Sequence, residues 1–159
     1  MNELELLKEI EDLDKEIKTN TLFSRKLRES DWDTLVEWWD AWPDWVNPPK
    51  DFLPDNGKGG FMVEKQNQPI VAGFLYTTNS KAALLEWMLL EWIVSDPNYR
   101  DVDRKEAIEK LIVDAEEKAK NMGYKYMFSI GRSKSLIETH KKLNWTVDKK
   151  PSHELIKKL

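Results

Sequence analysis

The segment spanning residues 91–130 restricts the possible fold of this 159-residue chain more than any other. An apolar run over residues 81–94 predicts a long central strand, and it ends at a charged turn without glycine. Residues 104–121 then carry apolar side chains at helical spacing, and the apolar segment 124–130 predicts a further buried strand. The order strand, turn, helix, strand predicts a crossover connection whose helix N-terminus favours an anion, such as the phosphate of a cofactor.

The rest of the chain predicts a mixed sheet with helices on both faces, an α/β (α+β) fold. We expect an N-terminal helix in residues 1–20 and one domain over residues 21–159. Further predicted elements are a strand at 21–27, a helix capped by Ser30, a loop rich in proline and glycine, a hairpin of 61–65 and 69–78, a short helix at 133–143, and closing strands at 145–150 and 153–159.

The N-terminal helix carries one apolar stripe with spacings of four, three and four, formed by Leu6, Ile10, Leu13 and Ile17. Two interpretations stay open. The helix packs on its own domain, or it forms the contact of a homodimer, although two heptads are short for a coiled coil.

Composition excludes several classes of function. The chain is 40% hydrophobic and 34% charged, as in globular proteins, and its net charge of −4 does not favour a nucleic-acid partner. It has no cysteine, and its two histidines, His140 and His153, lack metal-ligand spacing, so we expect no metal site. The longest apolar run contains Glu86 and Glu91 and is too short to span a bilayer. No targeting segment is visible, and we expect a cytoplasmic protein without a membrane partner.

Three stretches resemble motifs of the GNAT superfamily, the acyl-CoA-dependent N-acetyltransferases. They are "WIVSDPNYR", "RKEAIEKLI" and "SKSLIETHKKLNWTV". The last resembles the family's Asn-x-x-Ala motif followed by Tyr, Gly and Phe, with Ser133 at the Asn, His140 at the Tyr, and Asn144 at the Gly. The Trp-rich start and the glycine-free loop most resemble phage-encoded members. The resemblance implies a GNAT fold with a mostly antiparallel sheet, acetyl-CoA as cofactor, and transfer of an acetyl group to a primary amine.

The resemblance also implies a set of cofactor-binding residues. The backbone of Ile93, Val94 and Ser95 is expected to bind the pantetheine arm. The diphosphate is expected near Arg100, Arg104, Lys105, Glu106 and Ala107, with Ser133 completing the site. Glycines stand at the start of this helix in the family, whereas either alignment of this chain places Glu106 or Glu109 there. Two outcomes follow: the carboxylates point away and coenzyme A binds, or the site is degraded and the domain is a non-catalytic binding module.

The same resemblance places the reacting groups. Glu91, in preference to Glu86, is expected to act as the general base, and His140 as the acid that protonates the leaving thiolate. A paired Glu91 and a solvated His140 are the ordinary alternatives. Aromatic side chains of the Trp-rich segment are expected to bind the acceptor, through Trp39, Trp42 and Trp45. Core packing, or stacking on a nucleic-acid base, would also explain these tryptophans.

Overall fold

The computed structural model describes residues 2–42, 47–77, 79, 82–85, 94–99, 103–129, 131 and 133–150. The helices in these ranges are α1 (Glu3–Asn20), α2 (Trp32–Ala41), α3 (Arg104–Asn121) and α4 (Lys134–Lys142). The strands are β1 (Phe23–Lys26), β2 (Gly60–Lys65), β3 (Gln68–Tyr76), β4 (Ala82–Leu85), β5 (Val94–Ser95) and β6 (Tyr126–Phe128).

The strands form one mixed sheet in the order β1-β2-β3-β4-β6, with β5 paired to β3. Every described pair is antiparallel except β4 and β6, which run parallel as the crossover through α3 requires. The predicted hairpin of β2 and β3 is confirmed. Its turn residues Gln66 and Asn67 have φ of 53° and 60°, the positive values of a two-residue hairpin turn.

Helices cover both faces of the sheet, as predicted. On one face Val63 and Val71 pack against Leu111 and Ile112 of α3 and against Leu136 of α4. The opposite face is covered by α2, whose buried side chains meet the sheet in a second core cluster comprising Leu27, Leu35, Trp38, Trp39, Leu53, Met62, Ala72 and Phe74. The alternation of side chains along β2 therefore supplies both cores.

The prediction of one regular strand over residues 81–94 is wrong. Leu85 of β4 pairs with Leu75, and Ser95 of β5 pairs with Val71. The two pairs are four residues apart along β3 but ten residues apart between β4 and β5. Strands β4 and β5 therefore do not form one regular ladder with β3. An apolar run predicts burial but contains no signal of where its pairing register shifts.

Over residues 2–16, helix α1 is not buried against the domain, contrary to the first of its two interpretations. Every residue from Asn2 to Glu16 is exposed, including Leu6 and Ile10 of the apolar stripe. A capping box forms the helix N-terminus: the Glu5 amide donates to Asn2 Oδ1 at 2.9 Å, and the Asn2 amide donates to Glu5 Oε2 at 3.0 Å. Local signals therefore account for the start of α1.

Three further expectations are wrong. Residues 145–150 form no strand. Strand β6 is not buried, since Tyr126 and Phe128 are 68% and 51% exposed. Asp31, not Ser30, stands at the N-cap of α2, and its carboxylate accepts hydrogen bonds from Arg25 instead of capping the helix. The predicted strand at 153–159 and His153 lie outside the described residues.

Candidate active site

Strand β5 pairs with β3 on one of its two borders. No other described strand pairs with its second border, since β6 pairs with β4. The Asp96 amide donates to Ile70 O at 2.9 Å. Because peptide groups alternate sides along an antiparallel strand, the amide and carbonyl of the preceding residue, Ser95, point away from β3. Of the predicted pantetheine-binding residues, Ser95 thus directs its backbone to this second border, Val94 directs its backbone to β3, and Ile93 lies outside the described residues.

Three side chains meet at this border and join α2, β5 and α3. The Trp42 indole Nε1 donates to Ser95 O at 3.1 Å, and Arg104 Nη2 donates to Ser95 Oγ at 2.6 Å. Arg104 Cζ also lies 5.3 Å from the centre of the Trp42 ring, within cation–π distance. The structure thus brings together three residues predicted for the site. It gives Trp42 a contact with the arginine that the sequence did not indicate.

The carboxylate of Asp103, the N-cap residue of α3, is directed away from the end of its own helix. It accepts from Lys65 Nζ at 2.7 Å and from the buried Tyr99 hydroxyl at 2.9 Å, and it makes no side-chain cap bond to α3. The hydrogen bond from Lys65 lowers the pKa of Asp103 below its usual value, with a smaller contribution from Tyr99. An aspartate in this position normally caps the helix amides, whereas this carboxylate bonds to Lys65 and Tyr99 instead.

The other acidic residues at the start of α3 oppose an anion less than the sequence suggests. Glu109 pairs with Lys142 Nζ of α4 at 2.7 Å, and Glu106 is exposed beside the exposed Lys105. One expectation must be corrected here. The Ala107 amide donates to Asp103 O at 2.7 Å inside the helix, so this predicted amide is not available to a ligand. A negatively charged group therefore fits at Arg104 without a buried, unpaired carboxylate among the described residues facing it.

His140 is buried, at 5% exposure, and not on the helix surface. Its Nδ1 lies 2.8 Å from Leu136 O, which makes Nδ1–H the donor, and its ring meets Trp145 edge-on at 4.8 Å. Nε2 is buried and has no hydrogen-bond partner among the described residues. Burial lowers the pKa of His140, although the Leu136 carbonyl and the charge of Glu116 oppose this shift. The imidazole is thus neutral near pH 7, which does not favour the predicted role of a proton donor.

The remaining predicted residues fall into three groups. Trp39 is fully buried, with Trp32 edge-on at 5.8 Å and Phe74 stacked at 6.3 Å, so it packs the core and does not present a face to an acceptor. Ser133 accepts from the Leu136 amide at 3.1 Å and caps α4. The residues outside the described ranges are Trp45, Glu86, Glu91 and Arg100.

Asn144 supports the alignment of the late motif. It takes the place of the family's glycine, and its φ of 67° is in the left-handed region that glycine and asparagine adopt most readily. Lys65 was not predicted, because it lies 38 residues before Asp103 and no local pattern links the two.

Two other classes of site find no support in the described part of the chain. No cluster of three or more histidine and acidic side chains there could hold a metal ion. None of the helices in that part is long and apolar enough to cross a membrane.

Comparison with known proteins gives structural matches only; no protein-family model and no curated protein sequence matches the chain. An aminoglycoside acetyltransferase from an uncultured soil metagenomic sample matches with a TM-score of 0.59 and 14% identity, over 88% of this chain and 98% of that one. Glucosamine-6-phosphate N-acetyltransferase from Arabidopsis thaliana gives 0.59 and 14%, over 87% and 100%.

N-acetylglutamate synthase from Neisseria gonorrhoeae, solved with coenzyme A and L-arginine, gives a TM-score of 0.59 and 11% identity over 76% of this chain. The match spans about a quarter of the synthase, 26% of its length. These identities establish shape and not activity. Together with the mixed sheet and the crossover through α3, they show that the chain has the GNAT fold.

Proposed function

We propose that the chain is a GNAT-type N-acetyltransferase that transfers an acetyl group from acetyl-CoA to a primary amine. The observation that carries this proposal is the position of Arg104. Its guanidinium is held by Ser95, the last residue of β5, and by Trp42, at the point where α3 begins. Structures of the same fold, solved with coenzyme A or its bisubstrate analogue, support this choice of cofactor.

The start of α3 supplies the anion site in this proposal. The guanidinium of Arg104 and the amides of the first turn bind the diphosphate in this proposal, since a helix N-terminus and its dipole favour negative charge there. Lys65 and Tyr99 contribute by holding the Asp103 carboxylate away from those amides. In this proposal, the Asp103 carboxylate is therefore kept from repelling the diphosphate.

Trp42 acts in the proposal as a positioning residue. Its ring limits the rotamers of Arg104, and its Nε1–H fixes Ser95 O. A carbonyl oxygen has two lone pairs, so Ser95 O can accept a second hydrogen bond, and the outward Ser95 amide can donate one to the pantetheine arm. The tryptophan predicted to bind the acceptor thus has its best-supported role on the cofactor side.

The reacting acceptor must lose a proton, and the leaving thiolate must gain one. Glu91 remains our proposal for the base. His140 is neutral near pH 7 and needs protonation before it can donate from Nε2, so the acid role requires that cofactor binding raise its pKa. We expect His140→Phe to lower turnover with little change in cofactor affinity if that role is correct.

The proposal is tested by thiol release from acetyl-CoA, measured with a panel of primary amines, and by calorimetric titration with acetyl-CoA. We expect micromolar affinity and amine-dependent thiol release. No heat at millimolar acetyl-CoA would refute the proposal. An exposed lysine at the opposite end of α3 gives the matched control, since Lys120→Glu should leave affinity unchanged whereas Arg104→Glu weakens it.

The second candidate is a domain that binds coenzyme A without catalysis. The burial of His140, with Nδ1 bonded inside its own helix, favours this alternative because it leaves no exposed proton donor at that position. Tight acetyl-CoA binding without thiol release from any amine would select it over the enzyme.

A further inference from the structure

Helix α1 forms its own N-terminal cap and exposes its apolar side chains over residues 2–16, as a helix that binds a partner would. It is 18 residues long, begins with its own capping box, and exposes every residue from Asn2 to Glu16. Most of the stability of a helix in a protein comes from packing its apolar face. A partner that covers the exposed apolar face of α1 therefore stabilises this helix.

The uncovered face is apolar and continuous. Leu6, Ile10 and Leu13 follow one another at spacings of four and three, which places them on one side of the helix. They are 50%, 49% and 56% exposed. A stripe with this spacing is the form of an apolar seam that another helix covers.

The charges beside the stripe determine what kind of helix fits. At 100° per residue, Glu3 and Asp14 border the stripe on one side, and Glu9 and Glu16 border it on the other. The lysines of the same stretch, Lys8 and Lys15, fall on the opposite side of the helix. Both borders of the seam are thus acidic, and no basic residue between positions 3 and 16 lies next to it.

This pattern decides between three occupants. A second copy of α1, parallel or antiparallel, would bring carboxylates against carboxylates along both borders. An anionic membrane surface would be repelled by the same groups. We propose that α1 binds a helix of another protein whose own apolar stripe is flanked by lysines or arginines. This inference does not depend on the acetyltransferase proposal.

The test uses the full-length chain and two labelled three-heptad peptides with identical Leu and Ile seams, one bordered by Lys and the other by Glu. Fluorescence anisotropy should show the basic peptide binding at least about tenfold more tightly than the acidic one. Added salt should reduce that difference, because exposed charges are screened. Replacing Glu9, Asp14 and Glu16 together by lysine should reverse the preference.

Two single variants separate the seam from general charge. Ile10→Glu should abolish binding of the basic peptide, whereas Lys15→Glu on the opposite side should preserve it; circular dichroism verifies that both variants stay folded. Equal binding of the two peptides, or binding of neither, would overturn the proposal. So would a dimer of the full-length chain, or its attachment to anionic vesicles, that Ile10→Glu eliminates.

Discussion

Helices α1 and α3 both contain 18 residues, yet the chain uses them in opposite ways. In α1 the cap residues Asn2 and Glu5 bond to each other's backbone, and the apolar stripe is left exposed. In α3 the stripe is buried, and the cap residue Asp103 bonds to Lys65 and Tyr99 instead of its own helix. We propose that α1, whose cap is formed locally, binds a partner helix along its exposed side. We propose that α3, whose cap residue bonds elsewhere, binds the diphosphate at its N-terminus.

The largest expected difference between the two helices concerns burial. Leu111 of α3 is fully buried, and Leu111→Ala should lower the free energy of unfolding by about 2–5 kcal/mol through lost contacts and a cavity. Leu13→Ala in α1 should change it by less than about 0.5 kcal/mol, as at other exposed positions. Urea unfolding measures both values, and similar losses at the two sites would show that α1 is packed.

The next largest effect on stability is expected when Asp103, the cap residue of α3, loses its ion pair with Lys65. Lys65→Met should cost about 1–3 kcal/mol, because the Asp103 carboxylate is largely buried and loses its ammonium partner. Lys8→Met, which removes an exposed lysine from α1, is the control and should have no measurable effect. The same Lys65 variant should weaken coenzyme A binding, since the released carboxylate can then occupy the amides of α3.

The cost of Lys65→Met should depend on pH in a defined direction. The pKa of Asp103 is lowered in the folded state, so its pairing contributes fully above its ordinary pKa of 3.8 and is lost as the pH falls through the lower folded value. Unfolding curves of the native chain and of Lys65→Met should therefore converge below about pH 4. A gap that stays constant down to pH 2.5 would contradict the ion pair.

A smaller effect is expected on the pH dependence of stability. It comes from the burial of His140, which the exposed charged residues of α1 do not share. Because burial lowers the folded-state pKa of His140, the unfolded chain takes up a proton more readily as the pH falls below about 6.5. His140→Phe should thus lose less stability than the native chain between pH 7.5 and 5.5, by at most about 1.4 kcal/mol per pH unit. Parallel pH profiles of the two proteins would contradict the burial of His140.

The smallest effect on global stability is expected at the other cap. Asn2→Ala removes a capping bond normally worth about 0.5–2 kcal/mol to its helix. Because α1 is exposed, we expect a loss of helical circular dichroism with an unchanged urea midpoint. A shifted midpoint would show that α1 unfolds together with the domain.

Sequence reasoning succeeded where a local signal was sufficient. The apolar spacing of α3, the glycine after it and the serine before α4 each predicted an element to within about two residues. It failed where the answer depended on distant residues. The register change between β4 and β5 and the pairing of Lys65 with Asp103 both follow from tertiary contacts that no spacing encodes.

The same limit applies to the candidate site. The resemblance placed Ser95 at the end of the central strand and Arg104 at the start of α3, and Arg104 Nη2 lies 2.6 Å from Ser95 Oγ in the structure. It also placed His140 and Trp39 where reactants would meet, and both side chains are buried. A motif position predicts where a residue lies along the chain, whereas packing determines what its side chain contacts.

The central claim is that the N-terminus of α3 binds the diphosphate of coenzyme A. The affinity of coenzyme A for the native chain and for two variants tests it most directly. Calorimetry should give a micromolar Kd for the native chain. Arg104→Glu should weaken it by about 1.5–3 kcal/mol, the value of a charged hydrogen bond, whereas Lys15→Glu in α1 should leave it unchanged. Equal affinities of the native chain and Arg104→Glu, or no binding by the native chain, would contradict the account.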